Sequence, residues 1–369
     1  MTRRLLLSFS PGEIWAALIA DGDLAGLRLM RTHGAARPGD LYRGRVVALR
    51  PDLPAVLVDI GEDRPGFLGG EDMPRGTKLR EGETVIVRVA KAARADKAAG
   101  LNTKLDADER SVAADGPAPK LLRRRETPLA ELFTDFPADE IVVDDSAALA
   151  EIKHLFKGPV RLHTDATPLF EAEGVAIDDV LAPRVTLPKD GAIIIETTRA
   201  ATMIDVDGGR SGAVAANLAA AREIGRQIRL RDLAGPIVID FIGMKERGQR
   251  ARVEAALKAC LAEGPQYLGW TRLGHYELVL TRRRASLTER LFEHGAKTPL
   301  TVALEALRLI QRESRAAPGK RFGLKVHPDV AACFDRAAAS AKAELEARLG
   351  YAIRVVAEFC PPDHVSLVT

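Results

Sequence analysis

Residues 192–262 carry the pattern that most restricts what this chain can fold into. Ala192-Ile193-Ile194-Ile195-Glu196 and Thr202-Met203-Ile204-Asp205-Val206 are short aliphatic runs, with Thr198-Arg199-Ala200 as a turn between them. From Ala213 to Arg231 an apolar stripe of Leu218, Ala221, Ile224, Ile228 and Leu230 marks a long helix. Pro236 to Ile242 is again an aliphatic strand, and Glu246 to Ala262 again a helix. Near-continuous apolar runs of this length belong to strands buried in a layered α/β structure.

The flanking sequence divides differently. Met1 to Leu7 has two basic residues and a short apolar run ended at once by Ser8–Gly12, so it is expected to be a first strand and not a leader. From Asp40 to Val89 short strand patterns alternate with turn residues, which predicts a small β-barrel. Ala107 to Pro119 lacks periodicity and is expected to be a linker. Thr127–Phe133 predicts a capped helix; Glu140–Val143, Ser146–Phe156 and Val160–His163 then predict a βαβ-like unit. Thr298 to Thr369 gives helix, strand (321–326), helix, strand (352–358). At 369 residues several domains are expected. Cys260, Cys333 and Cys360 stand far apart, with no zinc-cluster spacing, as in a reduced cytoplasmic protein. No apolar stretch is long enough to span a bilayer. The net charge of +3 leaves nucleic-acid binding to local clusters.

Asp205 ends one aliphatic strand and Asp240 lies in another. Burying a lone carboxylate is costly unless it is paired or bound to a metal. Two of them, on strands that a helix crossover can set side by side, predict a site for a hard divalent cation, with Mg²⁺ taking its other ligands from water and phosphate. The plainer reading is that they cap strand ends and face solvent. Asp207, two residues on, points to the same side if the strand continues. The order strands, helix, strand, helix is that of a ribonuclease-H-like domain.

Three long motifs resemble the ribonuclease E/G endoribonucleases. Met203-Ile204-Asp205-Val206-Asp207-Gly208-Gly209-Arg210 is similar to that family's first metal-binding strand. Asn217–Gly235 resembles its long helix, and Ile237-Val238-Ile239-Asp240-Phe241-Ile242-Gly243-Met244 its second acidic motif, with Asp240 on the metal-binding acid. Tyr42–Val46, Ala55–Gly61 and Gly66–Leu68 are similar to the family's S1-type oligonucleotide-binding barrel, and Arg321–Pro328 to the end of the shorter ribonuclease G branch. The resemblance implies an S1-type barrel (residues 37–106) inserted in a ribonuclease-H-like α/β catalytic core (1–36 and 120–285), with an α+β C-terminal part (286–369). It also implies Mg²⁺, which Mn²⁺ can replace, on Asp205 and Asp240, and hydrolysis of single-stranded RNA to 5′-phosphate and 3′-hydroxyl ends.

Departures from the family pattern are equally specific. Asp207 stands where the family has Asn, Gly243 replaces a second Asp, and Leu57 replaces an RNA-stacking Phe, whereas Phe67 and Lys97 match. Residues 107–119 stand in for a much longer segment that binds a 5′-monophosphate. Thr281–Lys297 lacks the cysteines of the zinc-link, so neither zinc nor a zinc-linked dimer is expected. For the RNA grip, Phe67 and Tyr42 are candidate stacking faces, and Arg43, Arg45 and Lys97 candidate phosphate contacts. Arg272 and Arg282, the latter in the run Arg282–Arg284, are assigned to phosphate, Arg123–Arg125 are left open, and His275 and His327 are read as structural. Two rival readings remain, a non-catalytic RNA-binding or ribosome-assembly factor and a DNA-directed nuclease.

Overall fold

The computed structural model describes residues 2–32, 36–50, 52–62, 64–74, 76–91, 93, 97–111, 116–124, 128–198, 200–261, 264–282 and 284–369. Strands β1 (Arg3–Ser10), β2 (Glu13–Ala20) and β3 (Asp23–Arg31) open the chain. Then come β4 (Leu41–Arg50), β5 (Ala55–Asp59), β6 (Gly66–Gly69), β7 (Thr84–Lys91), β8 (Gly100–Asn102), helix α1 (Ala107–Ser111) and β9 (Lys120–Arg123). The next stretch holds α2 (Pro128–Asp135), β10 (Glu140–Val143), α3 (Leu149–Leu155), β11 (Val160–Leu162), α4 (Leu169–Ala172) and α5 (Ile177–Leu181). A third block comprises β12 (Arg184–Leu187), β13 (Gly191–Thr197), β14 (Thr202–Asp207), α6 (Ala213–Leu230), β15 (Gly235–Asp240), α7 (Arg247–Cys260), β16 (Gln266–Trp270) and β17 (Tyr276–Leu280). The chain closes with α8 (Leu287–Leu291), the hairpin β18 (Phe292–Glu293) and β19 (Ala296–Lys297), α9 (Pro299–Ala316), β20 (Gly323–Val326), α10 (Pro328–Cys333), α11 (Ala339–Leu349), β21 (Val355–Ala357) and β22 (Val365–Val368).

The barrel is closed. Its five strands follow the order β5-β6-β8-β7-β4, and β4 pairs back with β5, an arrangement consistent with an oligonucleotide-binding fold. Closure brings β4 hard against β5. A side chain at Gly44 would sit 2.4 Å from a Val58 methyl, so only glycine fits there. Tyr42, Val46, Val56, Val58, Ile60, Leu68, Val87, Val89 and Leu101 fill the interior. The barrel sheet runs past the expected linker, because β9 pairs with β4. That linker is not featureless either. Helix α1 buries Glu109, which binds Arg88 at 2.9 Å and Arg123 at 3.3 Å.

The single α/β core expected from the sequence is two separate sheets. The first has the order β11-β10-β1-β2-β3, with β10 parallel to β1 and helices packed on both faces. The second has the order β12-β13-β14-β15-β17-β16 and carries the aspartates. They part because the N-terminal strands pair with β10 and β11, while α6 packs between the sheets. Ala221, Ile224 and Ile228 join the core of the second sheet, and Leu230 that of the first. Arg28 on β3 and Arg284 both reach Asp135 on α2 and Asp232 after α6, which locks this junction with ion pairs. The C-terminal part is a three-stranded sheet, β21-β20-β22, under α9, α10 and α11. It is tied to the first sheet by Arg308 to Glu13 at 2.6 Å.

Candidate active site

Among the described residues, helices cover the second sheet on one face only. Period-two alternation sends Ile204, Val206, Ile237 and Ile239 into the core against α6 and α7. It sends Met203, Asp205, Asp207 and Asp240 to the open face, where each is exposed. The aspartates are therefore not buried charges, as their aliphatic surroundings suggested. The neighbours that read as burial are the alternate residues of a half-covered sheet.

What places the pair is register. Strands β14 and β15 are parallel, and Asp205 lies directly opposite Asp240. Adjacent strands lie about 4.8 Å apart, so two like charges face solvent side by side. Such an arrangement is unfavourable without a counter-ion. Among the described residues, neither carboxylate has a lysine or arginine partner. The His275 ring approaches the pair, with Nε2 3.8 Å from Asp240 Oδ1. Two exposed carboxylates in register suit a hard cation that keeps other ligands from solvent. Among the described residues no three His, Cys, Asp or Glu side chains gather closely enough to hold an ion. Water and substrate phosphate would have to complete its shell.

The loops that end both strands are fixed from behind. Asn217 on α6 is fully buried; its Nδ2 donates to the Ile242 carbonyl at 2.7 Å, and its Oδ1 accepts from the Ile242 N–H at 3.0 Å. One side chain thereby pins the backbone two residues after Asp240. After Asp207, the Gly209 N–H donates to Asp207 Oδ1 at 3.0 Å and forms a tight turn. Gly209 has φ +53°, and a Cβ there would meet Asp190 and Lys189 backbone atoms at 2.5 Å. Asp207 thus shares the open face, but its contacts are local. It pairs with Ala192 one row beyond Asp205, and its other oxygen lies 3.8 Å from Arg184.

The candidate RNA contacts separate into exposed and buried groups. Phe67 is 39% exposed on the outer wall of the barrel. It lies opposite Leu57 on one side and Gly100 on the other, which leaves its ring uncovered toward β8. Lys97 and Arg272 are exposed, and so is Arg45, whose guanidinium reaches the Ala118 carbonyl at 3.4 Å. Tyr42 is buried inside the barrel at 4% exposure and cannot stack on a base. Burial, helped by the carboxylates of Glu62 and Asp40, pushes its phenol up to about 12. Arg43 is buried as well, donating to the Pro117 carbonyl at 3.3 Å. Arg282 binds Glu289, the residue whose side chain caps α8, and so serves the fold. Of the two basic runs, Arg284 and Arg123 hold the acids named above, and Arg124 reaches Asp40 at 3.9 Å. Arg125, Arg199 and Arg283 lie outside the described residues.

Residues 74–285, more than half of the chain, match the model of the Ribonuclease E/G family. The chain belongs to the ribonuclease E/G family. Ribonuclease G of Escherichia coli strain K12 is 25% identical, over 97% of this chain and 97% of its own length. Ribonuclease E of the same organism is 24% identical over 78% of this chain, but only 37% of ribonuclease E is covered. Ribonuclease E of Nostoc sp. is 38% identical over 47% of this chain and 29% of its own. The chain is thus of the ribonuclease G type, and the family makes it an endoribonuclease. The alignment to ribonuclease G runs over 476 positions, so this 369-residue chain lacks segments that its relative has. Among the described residues no helix is long and apolar enough to cross a membrane.

Proposed function

We propose that this ribonuclease E/G protein is a Mg²⁺-dependent endoribonuclease that cuts single-stranded RNA internally, leaving 5′-phosphate and 3′-hydroxyl ends. The observation that carries the reading is the register of Asp205 with Asp240 on an open sheet face. These two carboxylates would hold the ion, and Mn²⁺ could take its place. Held by Asp205 and Asp240, such an ion would neutralise phosphate charge and lower the pKa of an attacking water. The protein's own residues do the rest. Asn217 keeps Asp240 aligned with Asp205 through the Ile242 backbone. Phe67 offers a ring to one base, while Lys97, Arg45 and Arg272 supply charge to the backbone of the strand. Tyr42, Arg43 and Arg282 take no part in this grip.

Matched unstructured RNA and DNA oligonucleotides, with end-group analysis of the products, test the reading. Internal cuts in RNA alone, each leaving a 5′-phosphate, are expected. Cuts in DNA at equal rate would make it a general nuclease, and 2′,3′-cyclic phosphate ends would exclude hydrolysis by external water.

A further inference from the structure

The row that contains the two aspartates continues beyond them. Strand β17 runs antiparallel to β15, with Ile239 opposite Tyr276 and Val238 opposite Glu277. One more step of the same register sets His275 opposite Asp240, in agreement with the 3.8 Å separation of their side chains. Ile194, Asp205, Asp240 and His275 thus cross four strands on the open face in one line.

The position of the imidazole is built from below and from the side. Beneath it, on the core face, Phe241 follows Asp240 and Tyr276 follows His275. Both pack on Trp270, with ring centroids 5.6 and 5.2 Å away. Phe241 and Tyr276 are buried, so the aromatic trio fixes the two strands against one another at this point. At the side, the Thr271 N–H donates to the His275 carbonyl at 2.8 Å, and the His275 N–H donates to Thr271 Oγ1 at 3.2 Å. The ring itself is about one-third exposed and, among the described residues, its nitrogens make no hydrogen bond. At 3.8 Å it is too far from Asp240 for one.

We infer that His275 is a catalytic residue that donates a ring N–H to a non-bridging oxygen of the scissile phosphate held at Asp205 and Asp240. A phosphate lying over the two carboxylates presents its oxygens to the next position in the row, and that position is His275. Either neutral tautomer carries an N–H, so the role is hydrogen bonding and requires no proton transfer. Preorganised donors aimed at developing charge are worth about 100- to 1,000-fold in turnover. This inference rests on the endoribonuclease reading of the same site.

The test compares wild type, His275→Leu, His275→Gln and Asp240→Asn in single-turnover cleavage of an AU-rich RNA. Mn²⁺ affinity by electron paramagnetic resonance and RNA affinity without metal are measured on the same proteins. His275→Leu is expected to cut about 100-fold slower with Mn²⁺ and RNA affinities within twofold of wild type. His275→Gln, which keeps an N–H donor, is expected to recover at least tenfold of that loss. Wild-type cleavage by His275→Leu beside an inactive Asp240→Asn overturns the role of His275 and leaves the nuclease standing. Loss of Mn²⁺ binding in both His275 variants overturns it too, by making the ring a metal ligand or a prop for Asp240. If wild type itself never cuts, the endoribonuclease reading fails and the inference with it.

Discussion

Asn217→Ala removes both hydrogen bonds that hold the chain just after Asp240. The Asn217 amide is fully buried, and its two bonds to Ile242 measure 2.7 and 3.0 Å. Leaving a buried donor or acceptor unpaired costs about 1–3 kcal/mol. Ile242 is half-buried, so water replaces part of what is lost and the low half of that range applies to each group. The expected destabilisation is therefore about 2–4 kcal/mol, a large share of the roughly 5–15 kcal/mol that holds a domain together. Urea unfolding followed by circular dichroism reads it as a lower midpoint at unchanged slope. Cleavage should fall as well, under conditions where the fold is intact, because Asp240 is no longer held level with Asp205. Asn217→Asp sharpens the experiment. It keeps an acceptor for the Ile242 N–H but loses the donor to the carbonyl and adds a buried charge, so it must be at least as damaging. A stability change below about 0.5 kcal/mol, the size of an ordinary surface substitution, with full activity would mean that Asn217 does not hold the Ile242 backbone in place.

Asp205→Asn should abolish cleavage yet leave thermal stability unchanged or slightly raised, since it removes one of two adjacent like charges; a marked loss of stability would mean the carboxylate is structural. Phe67→Ala should weaken RNA binding about 5- to 150-fold, the worth of one stacked base, while Tyr42→Phe leaves RNA affinity unchanged in the same titration. Gly209→Ala places a methyl group against the Lys189–Asp190 backbone at positive φ and should cost more than about 1 kcal/mol in chemical denaturation. For Tyr42 the sign is set by a phenol that is raised in the fold, to about 12. Its stabilising contribution is complete below the ordinary phenol value of about 10 and is lost as pH climbs through 12, so Tyr42→Phe should flatten the fall of stability over that window.

Much of the second sheet was legible because its strands and helices alternate with strong period. The helix expected over 213–231 spans Ala213–Leu230, and the two aspartates fall at or near the ends of neighbouring strands. Their exposure stood only as the second reading. An aliphatic run with one acid reads the same whether one face or both are covered, and only the position of α6 and α7 decides it. The hairpin β16–β17 was missed for a related reason. Gln266–Trp270 contains Gly269 at a bulge, and Leu273 and Gly274 break any alternation before Tyr276. With it went the one signal that could have found His275, a histidine entering a strand that pairs with the strand of Asp240. Tyr42 and Arg43 were misplaced because residue type shows what a side chain can bind and not which way its strand turns it. In β4, Tyr42 fills the barrel and Arg43 folds back on the chain at Pro117.

The most direct test of the central claim is cleavage of a 5′-labelled, unstructured AU-rich RNA by wild type and Asp240→Asn, each with Mg²⁺ and with EDTA. Internal cuts by wild type with Mg²⁺ alone, absent in Asp240→Asn, are the result expected of a metal-assisted site on the Asp205–Asp240 row. Cuts that persist in EDTA or in Asp240→Asn would contradict it, and so would a wild type that binds the RNA and leaves it whole.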